Sequence, residues 1–348
     1  MTPPSTLYGG ILCAGYGSRM APLTDATPKP LLPFLNTPLL AYGLAHMRRA
    51  QVACVALNLH HLAHVVPPVA DAIGAQLGVQ VRYAHEEEIL GTAGGMRGIW
   101  EVCGAPEQGA FVVLNGDSIM NLDLQDVHAA HSASQASVTL VLRPKAADQP
   151  GKVWVDGAGQ IVRLRDHRAP SWDDALEGSY SEFDFCGVHL IDAPVFGTLA
   201  PEFGDIITVC YGPMLERGER LDAFVYDGFW VALDTPAHLL RTQRTCLEQP
   251  GLFEQAPLPE PLNPGLYVYR PGAFEAHVKV RAPLLTGINV EVGQGAALGA
   301  NVVADGVRVA PGAVVSDALL YGMGEVDGTW ERCVGVAGKV VAVAQEDL

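Results

Sequence analysis

Two cationic side chains, Arg19 and Lys29, stand in the part of this chain best suited to chemistry, the segment GYGSRMAPLTDATPKPL at 15–31. The segment follows an apolar run at 11–14 that is typical of a buried strand in a parallel sheet. Its glycines allow the backbone to approach a ligand closely, and its prolines stiffen the loop. A glycine turn after a strand, followed by fixed cations, is suited to binding a polyphosphate.

Three other interpretations of this segment explain it less well. A dinucleotide-binding loop would carry a third glycine where Met20 stands, and hydride transfer has no need of the arginine and the lysine. A P-loop requires Gly-Lys-Ser or Gly-Lys-Thr, which the segment lacks. The remaining interpretation is a surface turn rich in glycine and proline that has no role in binding or catalysis.

The segment matches the pattern G-x-G-x-R-x-x-P-L-T-x-x-x-P-K-P-L throughout, and in this it resembles the sugar-1-phosphate nucleotidyltransferases. The resemblance implies that a sugar-1-phosphate oxygen attacks the α-phosphorus of a nucleoside triphosphate and releases pyrophosphate. Both substrates are anionic, so the protein must neutralise charge and align the groups. By resemblance, Arg19 steadies the β- and γ-phosphates, and Lys29 holds the α-phosphate and the incoming phosphate. If Lys29 were only a solvated surface charge, its replacement would change catalysis little.

The resemblance also predicts where the nucleotide lies. The segment EEEILGTAGG at 86–95 looks like the family's E-x-x-x-L-G-T-A-G-G loop, which closes on the nucleobase and ribose, whereas Glu87 and Glu88 fit an ordinary solvated turn. The expected nucleotide contacts are Leu12, Ala14, Gly15, Gly17, Ser18, Arg19, Glu86, Gly91 and Thr92.

Asp117 is the first expected metal ligand and, with Arg19 and Lys29, an expected catalytic residue. It ends the apolar run FVVLNGD at 111–117, which predicts a strand with a carboxylate at its C-terminal edge, where open α/β sheets bind ligands. Mg²⁺ prefers hard oxygen ligands of this kind, and the matching aspartate binds it in the family. Taken alone, Gly-Asp is more often only a turn.

The second metal ligand departs from the family pattern W-x-D-x-G-T-P. The chain reads WVALDTP at 230–236, which puts Ala232 at the aspartate position and Asp234 at the glycine position. Because a shift of two residues along a strand keeps the same face, about 6.5 Å further on, we expect Asp234 to replace the missing ligand. The alternative is that Asp234 only caps a helix that starts at Pro236.

The expected sugar contacts are less regular. Gly151 resembles the glycine that lines the family's sugar pocket, and Asp166-His167-Arg168 stands where the family has E-K-P. The expected sugar-binding residues are Asn115, Gly151, Asp166, His167 and Gly187. The cluster of His60, His61 and His64 lacks a further well-placed zinc ligand, which favours packing and capping roles.

Composition excludes several classes of protein. The net charge of −16 opposes nonspecific binding to nucleic acid, since no basic tract could displace counterions. No apolar run reaches the ~18 residues of a membrane span, and residues 1–6 lack the features of a signal peptide. Seven scattered cysteines without a C-x-x-C pair indicate reduced thiols and a cytoplasmic location.

Periodicity predicts an α/β, doubly wound, Rossmann-like nucleotidyltransferase domain at 1–248. A proline-rich linker is expected at 249–276, and a β-helix domain with a C-terminal tail at 277–348. The predicted strands are 10–14, 52–59, 80–84, 110–115, 137–142 and 222–226, with a hairpin of 151–155 and 160–165. The predicted helices are 39–49, 62–77 and 124–134.

Beyond the linker, aliphatic or aromatic residues recur in steps of about six, a period that stacks short strands into a parallel β-helix. They are Val292, Leu298, Val303, Val309, Val315 and Tyr321, with one step of five. The pattern resembles the short left-handed hexapeptide-repeat helix found C-terminally in this family. The exposed edge of such a helix favours a homo-oligomer.

The preferred function is Mg²⁺-dependent transfer of a nucleotidyl group to a sugar-1-phosphate, with a weak preference for GTP and mannose-1-phosphate. The preference rests on the resemblance of Gly94-Gly95 and the short repeat to the mannose-1-phosphate guanylyltransferase group. Ala232 supports the alternative of a noncatalytic subunit that senses a nucleotide-sugar. Acyl transfer in the repeat region is disfavoured, because no histidine base follows Val278.

Overall fold

The computed structural model describes residues 6–145 and 151–347, so the expectation for a leader at 1–6 falls almost wholly outside the described residues. Contacts divide the chain into two compact units. Unit 1 contains Met1–Gly15, Gly43–Ser118 and Leu122–Trp230, and unit 2 contains Tyr16–Tyr42, Ile119–Asn121 and Val231–Leu348, each within the described ranges. The boundaries expected at 248 and 276 stay a prediction.

Seven α-helices lie in the described part of the chain, and their ends follow local capping chemistry. Asp123 caps α4 through the Gln125 N–H, and α2 begins with prolines, which lack the N–H groups that an N-terminus leaves unpaired. The helices are α1 Leu39–Arg49, α2 Val66–Leu77, α3 Gly91–Val102, α4 Leu124–Ala133, α5 Ala193–Phe196, α6 Gly212–Glu216 and α7 Pro236–Glu248. The prediction for α1 is confirmed, and that for α2 began four residues too early.

Fourteen strands precede residue 233 in the described chain, and eight of them overlap the predicted strands, although β1 begins and ends before the predicted 10–14. They are β1 Leu7–Leu12, β2 Pro33–Phe34, β3 Thr37–Pro38, β4 Val55–Leu59, β5 Val81–His85, β6 Ala110–Asn115, β7 Ser118–Met120 and β8 Val138–Pro144. Those that follow are β9 Val153–Val155, β10 Ile161–Leu164, β11 His167–Arg168, β12 Ser181–Asp192, β13 Leu221–Val225 and β14 Trp230–Ala232.

Unit 1 is built on a mixed sheet in the order β11-β10-β9-β12-β6-β1-β4-β5, with β8 pairing with β12 and β13. Strand β1 runs parallel to β4 and β6, whereas β12 runs antiparallel to β6 and β8. Because β1, β4, β5 and β6 are mutually parallel, their carboxyl ends share one edge of the sheet. This is a Rossmann-like α/β fold with a parallel sheet, as predicted.

Helix α3 is an element that local sequence did not predict. The Gly-Thr-Ala-Gly-Gly run that opens it disfavours a helix, and 86–95 was expected to be a loop. In the structure Ala93, Met96 and Ile99 are buried on one face of α3 and join the core of unit 1, which includes Phe111 and Val113. Burial of that face against the sheet outweighs the low helix propensity of glycine.

Unit 2 contains a second sheet, made of short strands after 265. They are β15 Leu266–Val268, β16 Lys279–Val280, β17 Leu284–Thr286, β18 Val290–Val292, β19 Ala297–Leu298, β20 Val302–Val309, β21 Val314–Val326, β22 Thr329–Val336 and β23 Lys339–Ala342. Parallel pairing advances regularly from Leu266 to Leu284, Val302 and Ala318. A stack of parallel strands is consistent with the predicted repeat, whose left-handed coiling stays a prediction.

The repeat shifts its register at the step of five residues. Val292, Leu298, Val309 and Val315 lie in one buried cluster, as the hexads predict. At the irregular step the cluster takes Val302 and Ala304 instead of Val303. Neighbouring strand residues face opposite sides, so Val303 faces away from this cluster, although it is itself fully buried.

Leu284 is fully buried in the cluster of the second sheet. We expect Leu284→Ala to lower the free energy of unfolding by about 2–5 kcal/mol, because it removes buried methyl groups and leaves a cavity. Urea denaturation measures the loss. Ile288, which is 54% exposed in the same region, supplies the control, and Ile288→Ala should change stability by less than about 0.5 kcal/mol. Equal effects of the two substitutions would contradict this packing.

Candidate active site

The loop at 16–31 of unit 2, which is expected to bind phosphates and is called the phosphate loop below, contains a series of short 3-10 turns. Gly17 has a φ of 63°, in the left-handed region, and a Cβ there would lie 2.9 Å from Thr24 Cγ2 and 3.1 Å from Lys29 Cβ. The Thr24 hydroxyl donates to the Gly17 carbonyl at 3.1 Å, and the Met20 N–H donates to it at 2.8 Å. A side chain at this position would be both strained and crowded, so the turn requires glycine. Gly17 leads directly into the 3-10 turn Ser18–Met20, which carries Arg19.

Arg19 and Lys29 are held by one carboxylate. Arg19 Nη2 and Lys29 Nζ each lie 2.9 Å from Asp234 Oδ1. The Lys29 side chain is 11% exposed, and the Arg19 side chain is 67% exposed. Burial by itself raises the pKa of Asp234, but the hydrogen bond and charge of Lys29, with the charge of Arg19, hold that pKa below its ordinary value. Asp234 is therefore the counter-ion of the two predicted phosphate-binding cations.

The alternative role of Asp234 as a helix cap is wrong. Thr235 is the N-cap of α7, and its Oγ1 accepts the His238 N–H at 3.1 Å. The Asp234 carboxylate therefore pairs with the two cations instead of capping the helix. Asp234 lies two residues after Ala232, the last residue of β14. Whether it also binds metal stays a prediction.

In unit 1, Asp117 follows β6 at the carboxyl edge of the sheet. Leu12 pairs with Asn115 in the parallel register, and the Gly116 N–H donates to the Leu12 carbonyl at 3.1 Å, which places the residues after β6 beside the end of β1. The Ser118 hydroxyl donates to Asp117 Oδ1 at 3.3 Å. Burial, and after it the charge of Asp117, raises the pKa of Cys13 well above its ordinary value. The structure therefore brings the predicted carboxylate to the end of the first strand.

Ala14 and Gly15 continue from the end of β1. Ala14 is buried and its carbonyl accepts the His61 N–H at 3.5 Å, whereas Gly15 is exposed and a Cβ there would meet open space. Exposed backbone after a parallel strand is available to a ligand.

Glu86 has a structural partner that the sequence analysis did not anticipate, the buried amide of Asn58. Asn58 Oδ1 accepts the Cys13 N–H at 2.8 Å, and Asn58 Nδ2 donates to Glu86 Oε1 at 2.7 Å. Glu86 Oε2 in turn accepts the Leu90 N–H at 2.8 Å, just before α3. One chain of hydrogen bonds thus links the end of β1, β4 and the start of α3. The asparagine at the end of a buried strand was the available sequence signal.

Thr92 is also engaged within unit 1. Its Oγ1 accepts the Ile206 N–H at 2.8 Å, and the Gly204 carbonyl accepts the Ala93 N–H at 2.9 Å. The first turn of α3, which contains Gly91, is therefore held by the 204–206 loop and by Glu86. The side chains of Glu86 and Thr92, both expected nucleotide contacts, therefore serve to position this turn.

Asn115 and Gly187, two predicted sugar contacts, touch each other. Gly187 has a φ of 72°, and a Cβ there would overlap the Asn115 amide. It lies where the register of β12 with β8 shifts between Phe185 and His189, a β-bulge. The bulge opens a place for the Asn115 side chain at the end of β6.

A cavity of about 330 Å³ lies in unit 1 beside β9 and β12. Its charged and aromatic lining includes Arg143, Lys152, Arg165, Asp184 and Trp230. The Arg143 guanidinium lies 4.9 Å from the centroid of Trp230, whose Nε1 donates to the Cys186 carbonyl at 2.9 Å. These polar residues were absent from the predicted site. Lys152 and Arg165 adjoin the predicted sugar contacts Gly151 and Asp166, and Trp230 begins the WVALDTP segment, so these three had a neighbouring sequence signal.

Gly151 supports the wall of this cavity, since its N–H donates to Glu182 Oε2 at 2.9 Å next to the lining residue Lys152. Asp166 is exposed, and His167 Nδ1 lies 2.7 Å from Glu216 Oε1. Among the described residues, the lining of the cavity contains neither of them. Arg165, with a φ of 52°, turns the chain between β10 and β11, which separates Asp166 and His167 from the lining.

Within 6–145 and 151–347, no three His, Cys, Asp or Glu side chains gather in a metal-binding group. His60 Nδ1 lies 3.0 Å from the Glu86 carbonyl, in agreement with a packing role. Mg²⁺ does not require such a group, since it commonly binds one or two carboxylates together with substrate phosphates.

The geometry agrees with comparison to known proteins. The sequence profile described as nucleotidyl transferase matches residues 8–249. The chain belongs to this family, and the expected class, the sugar-1-phosphate nucleotidyltransferases, is confirmed; it is an enzyme of nucleotidyl transfer.

The names of individual relatives specify different substrates. The chain is 26% identical to a UTP–glucose-1-phosphate uridylyltransferase of Synechocystis sp., over 92% of this chain and 88% of that protein. It is 28% identical to a mannose-1-phosphate guanyltransferase of Candida albicans, over 72% and 67% of the two chains. The fold matches a crystal structure of a candidate glucose-1-phosphate thymidylyltransferase from Bacillus anthracis, with a TM-score of 0.54 and 21% identity, over 69% of this chain and 95% of that one.

Asn58 is 2% exposed, and both of its hydrogen bonds, from the Cys13 N–H and to Glu86 Oε1, are buried. We expect Asn58→Ala to lower the free energy of unfolding by about 2–4 kcal/mol, because it leaves the Cys13 N–H and a Glu86 oxygen unpaired in the interior. Urea denaturation of the purified variant measures the change. Asn263 is exposed, and Asn263→Ala is the matched control with an expected change below about 0.5 kcal/mol. An Asn58→Ala protein as stable as the parent would contradict the network.

Proposed function

We propose that this protein transfers a nucleotidyl group from a nucleoside triphosphate to a sugar-1-phosphate and releases pyrophosphate. The observation that carries the proposal is the placement of Arg19 and Lys29 on Asp234 in the glycine-containing phosphate loop. Two cations share one carboxylate there, so the three groups together have one net positive charge. Such a cluster attracts an anion while its cations remain in defined positions.

The exposure of the two cations supports a division of labour. Lys29 is largely buried and has little freedom, which suits a group that aligns the α-phosphate with the attacking oxygen. Arg19 is largely exposed and can move with the leaving pyrophosphate. In an in-line displacement both cations stabilise charge on the phosphate oxygens, and no covalent intermediate with the protein is required.

We propose Mg²⁺ as the cofactor. Each of the two expected ligands, Asp117 in unit 1 and Asp234 in unit 2, provides hard carboxylate oxygens of the kind that Mg²⁺ prefers, and both ion pairs of Asp234 engage its Oδ1 atom. Bound Mg²⁺ would supply charge neutralisation to the phosphates. In that arrangement Asp234 has two tasks, to position the cations and to provide a ligand in place of the residue absent at Ala232.

We propose GTP and mannose-1-phosphate as the first substrate pair to test. The names of the Candida albicans relative and of an Arabidopsis thaliana relative, a probable mannose-1-phosphate guanylyltransferase that is 24% identical over 97% of this chain, support that pair. The Synechocystis relative makes UTP with glucose-1-phosphate the next pair. The cavity beside β9 and β12, with its cations and Trp230, is the proposed pocket for the sugar.

We also propose that the parallel strands after 265 coil as a left-handed β-helix and that the protein is a cytoplasmic homo-oligomer. Regular advance of the strand pairing supports the coil. None of the helices in the described ranges has the length and apolar character needed to cross a bilayer. The oligomer rests on the unpaired outer edge expected of a short β-helix.

A panel of nucleoside triphosphates crossed with sugar-1-phosphates, assayed for Mg²⁺-dependent pyrophosphate release, tests the function. One pair should give a clear signal, and with that pair Lys29→Ala should lower kcat by about 10²-fold or more, since a charge stabilising the transition state is removed. Lys279, exposed on β16, provides the control, and Lys279→Ala should keep the parental rate. No signal from any pair, with nucleotide binding intact in calorimetry, would instead support a sensing subunit.

Substitution of Asp234 separates its two proposed tasks. Asp234→Ala should lower kcat and raise the half-saturating Mg²⁺ concentration by about tenfold or more, since a ligand is lost. Asp234→Asn keeps a hydrogen-bond acceptor for Lys29 but is a weaker ligand, so its Mg²⁺ requirement should rise as well. Binding of Mn²⁺, followed by electron paramagnetic resonance, reports the ligand directly. Normal Mg²⁺ dependence and rate in Asp234→Ala would eliminate Asp234 as a ligand.

A further inference from the structure

Two cysteines far apart in sequence meet in unit 1. Cys54 Sγ and Cys103 Sγ are 2.8 Å apart across a sequence separation of 49 residues, and both are free thiols. Cys54 directly precedes β4, and Cys103 directly follows α3. The contact lies outside the groups assigned to the phosphates, the metal and the sugar.

Regular secondary structure holds both cysteines. The Cys54 carbonyl accepts the Gly9 N–H of β1 at 2.8 Å, and the Cys103 N–H donates to the Ile99 carbonyl of α3 at 3.2 Å. A disulfide has an S–S distance of about 2.05 Å, so the sulfurs need to approach by less than about 1 Å to form the bond. The fold has therefore already brought the two chain segments together.

The surroundings distinguish the two thiols chemically. The hydrogen bond from Cys103 and, after it, the charge of Arg82 lower the pKa of Cys54 to about 7 in spite of its partial burial. The same hydrogen bond, together with burial, raises the pKa of Cys103. Arg82 is fixed beside the pair, since its Nη1 donates to the Val102 carbonyl at 2.7 Å. Cys54 is thus the better nucleophile, and Cys103 the protected partner.

Cys54 differs from the other cysteines in its exposure to solvent. Cys54 is partly exposed, whereas the other six cysteines are buried. Burial raises the pKa of Cys186, Cys210, Cys246 and Cys333, which suppresses the thiolate form. An oxidant in solution therefore meets one accessible thiol, which has a second thiol in contact with it.

We propose that Cys54 and Cys103 are a reversible redox pair that a low-molecular-weight disulfide of the glutathione type oxidises to an intramolecular disulfide. The Cys54 thiolate attacks one sulfur of the oxidant, and the other sulfur leaves as a thiolate that takes up a proton. Cys103, losing its proton, then attacks Cys54 Sγ in the mixed disulfide and displaces the second small thiol. Overall, two protein thiols are oxidised and one small disulfide is reduced to two thiols.

The new bond would tie the C-terminal end of α3 to the start of β4. Its loop spans the strand β5 and the Glu86 segment, both of which lie between the two cysteines in the chain. Cross-linking restricts the unfolded chain and should raise Tm. The proposal depends on the thiol contact alone and is independent of the transfer reaction, so failure of one leaves the other standing.

Oxidised glutathione added to the folded full-length protein tests the pair. The protein should become two hydrogen atoms lighter, lose two of its seven titratable thiols and give a Cys54–Cys103 peptide in a non-reducing digest. Its Tm should rise, and dithiothreitol should reverse every change. Retention of all seven thiols in excess oxidant, or a linked peptide that joins other cysteines, would overturn the proposal.

Variants resolve the order of the two steps. Cys103→Ser should stop at the mixed disulfide and carry one glutathione on Cys54, whereas Cys54→Ser should leave Cys103 unmodified. Cys246→Ser, at a buried position of α7, should behave as the parent does. Circular dichroism verifies that each variant is folded. A folded Cys103→Ser protein that takes up no glutathione would refute the role of Cys54 as the nucleophile.

Discussion

The ion cluster of Asp234 with Lys29 and Arg19 is the interaction on which the phosphate loop depends. Two like charges brought to a loop repel each other, and a carboxylate 2.9 Å from both offsets that repulsion. The glycine turn at Gly17 makes the close approach of Lys29 possible, since a larger residue would overlap Thr24. Chain geometry and electrostatics therefore have to agree at this point for the loop to present its cations.

A second constraint acts inside unit 1, where Asn58 connects elements that carry different predicted contacts. Its amide pairs with the backbone at Cys13 and with Glu86, whose other oxygen holds the start of α3. Because the hydrogen bonds of Asn58 to Cys13 and Glu86 are buried, a missing partner there would be costly. The buried amide thus ties the end of the first strand to the segment expected near the nucleobase, and its partner there is Glu86, a side chain expected to contact the nucleotide.

Two departures from the family pattern, at Asp234 and at Asp166-His167, can be related to contacts in the structure. The position of Asp234 follows from its two cations, which it reaches from two residues beyond Ala232. At Asp166 and His167, where the family has E-K-P, His167 pairs with Glu216 and neither residue is part of the described cavity lining. Arg165 lines it instead.

The sequence by itself determined the phosphate loop, the parallel strands, helix α1 and the repeat after 265, because glycine, proline and apolar spacing act over a few residues. It could not determine the partners of Asp234, which are 215 and 205 residues away, or the start of α3, whose glycines oppose a helix until its apolar face is buried. The tertiary structure also decided that Asn58 meets Glu86 and that Cys54 meets Cys103. Each of these pairings depends on the path of the whole chain, and local propensity contains no information about that path.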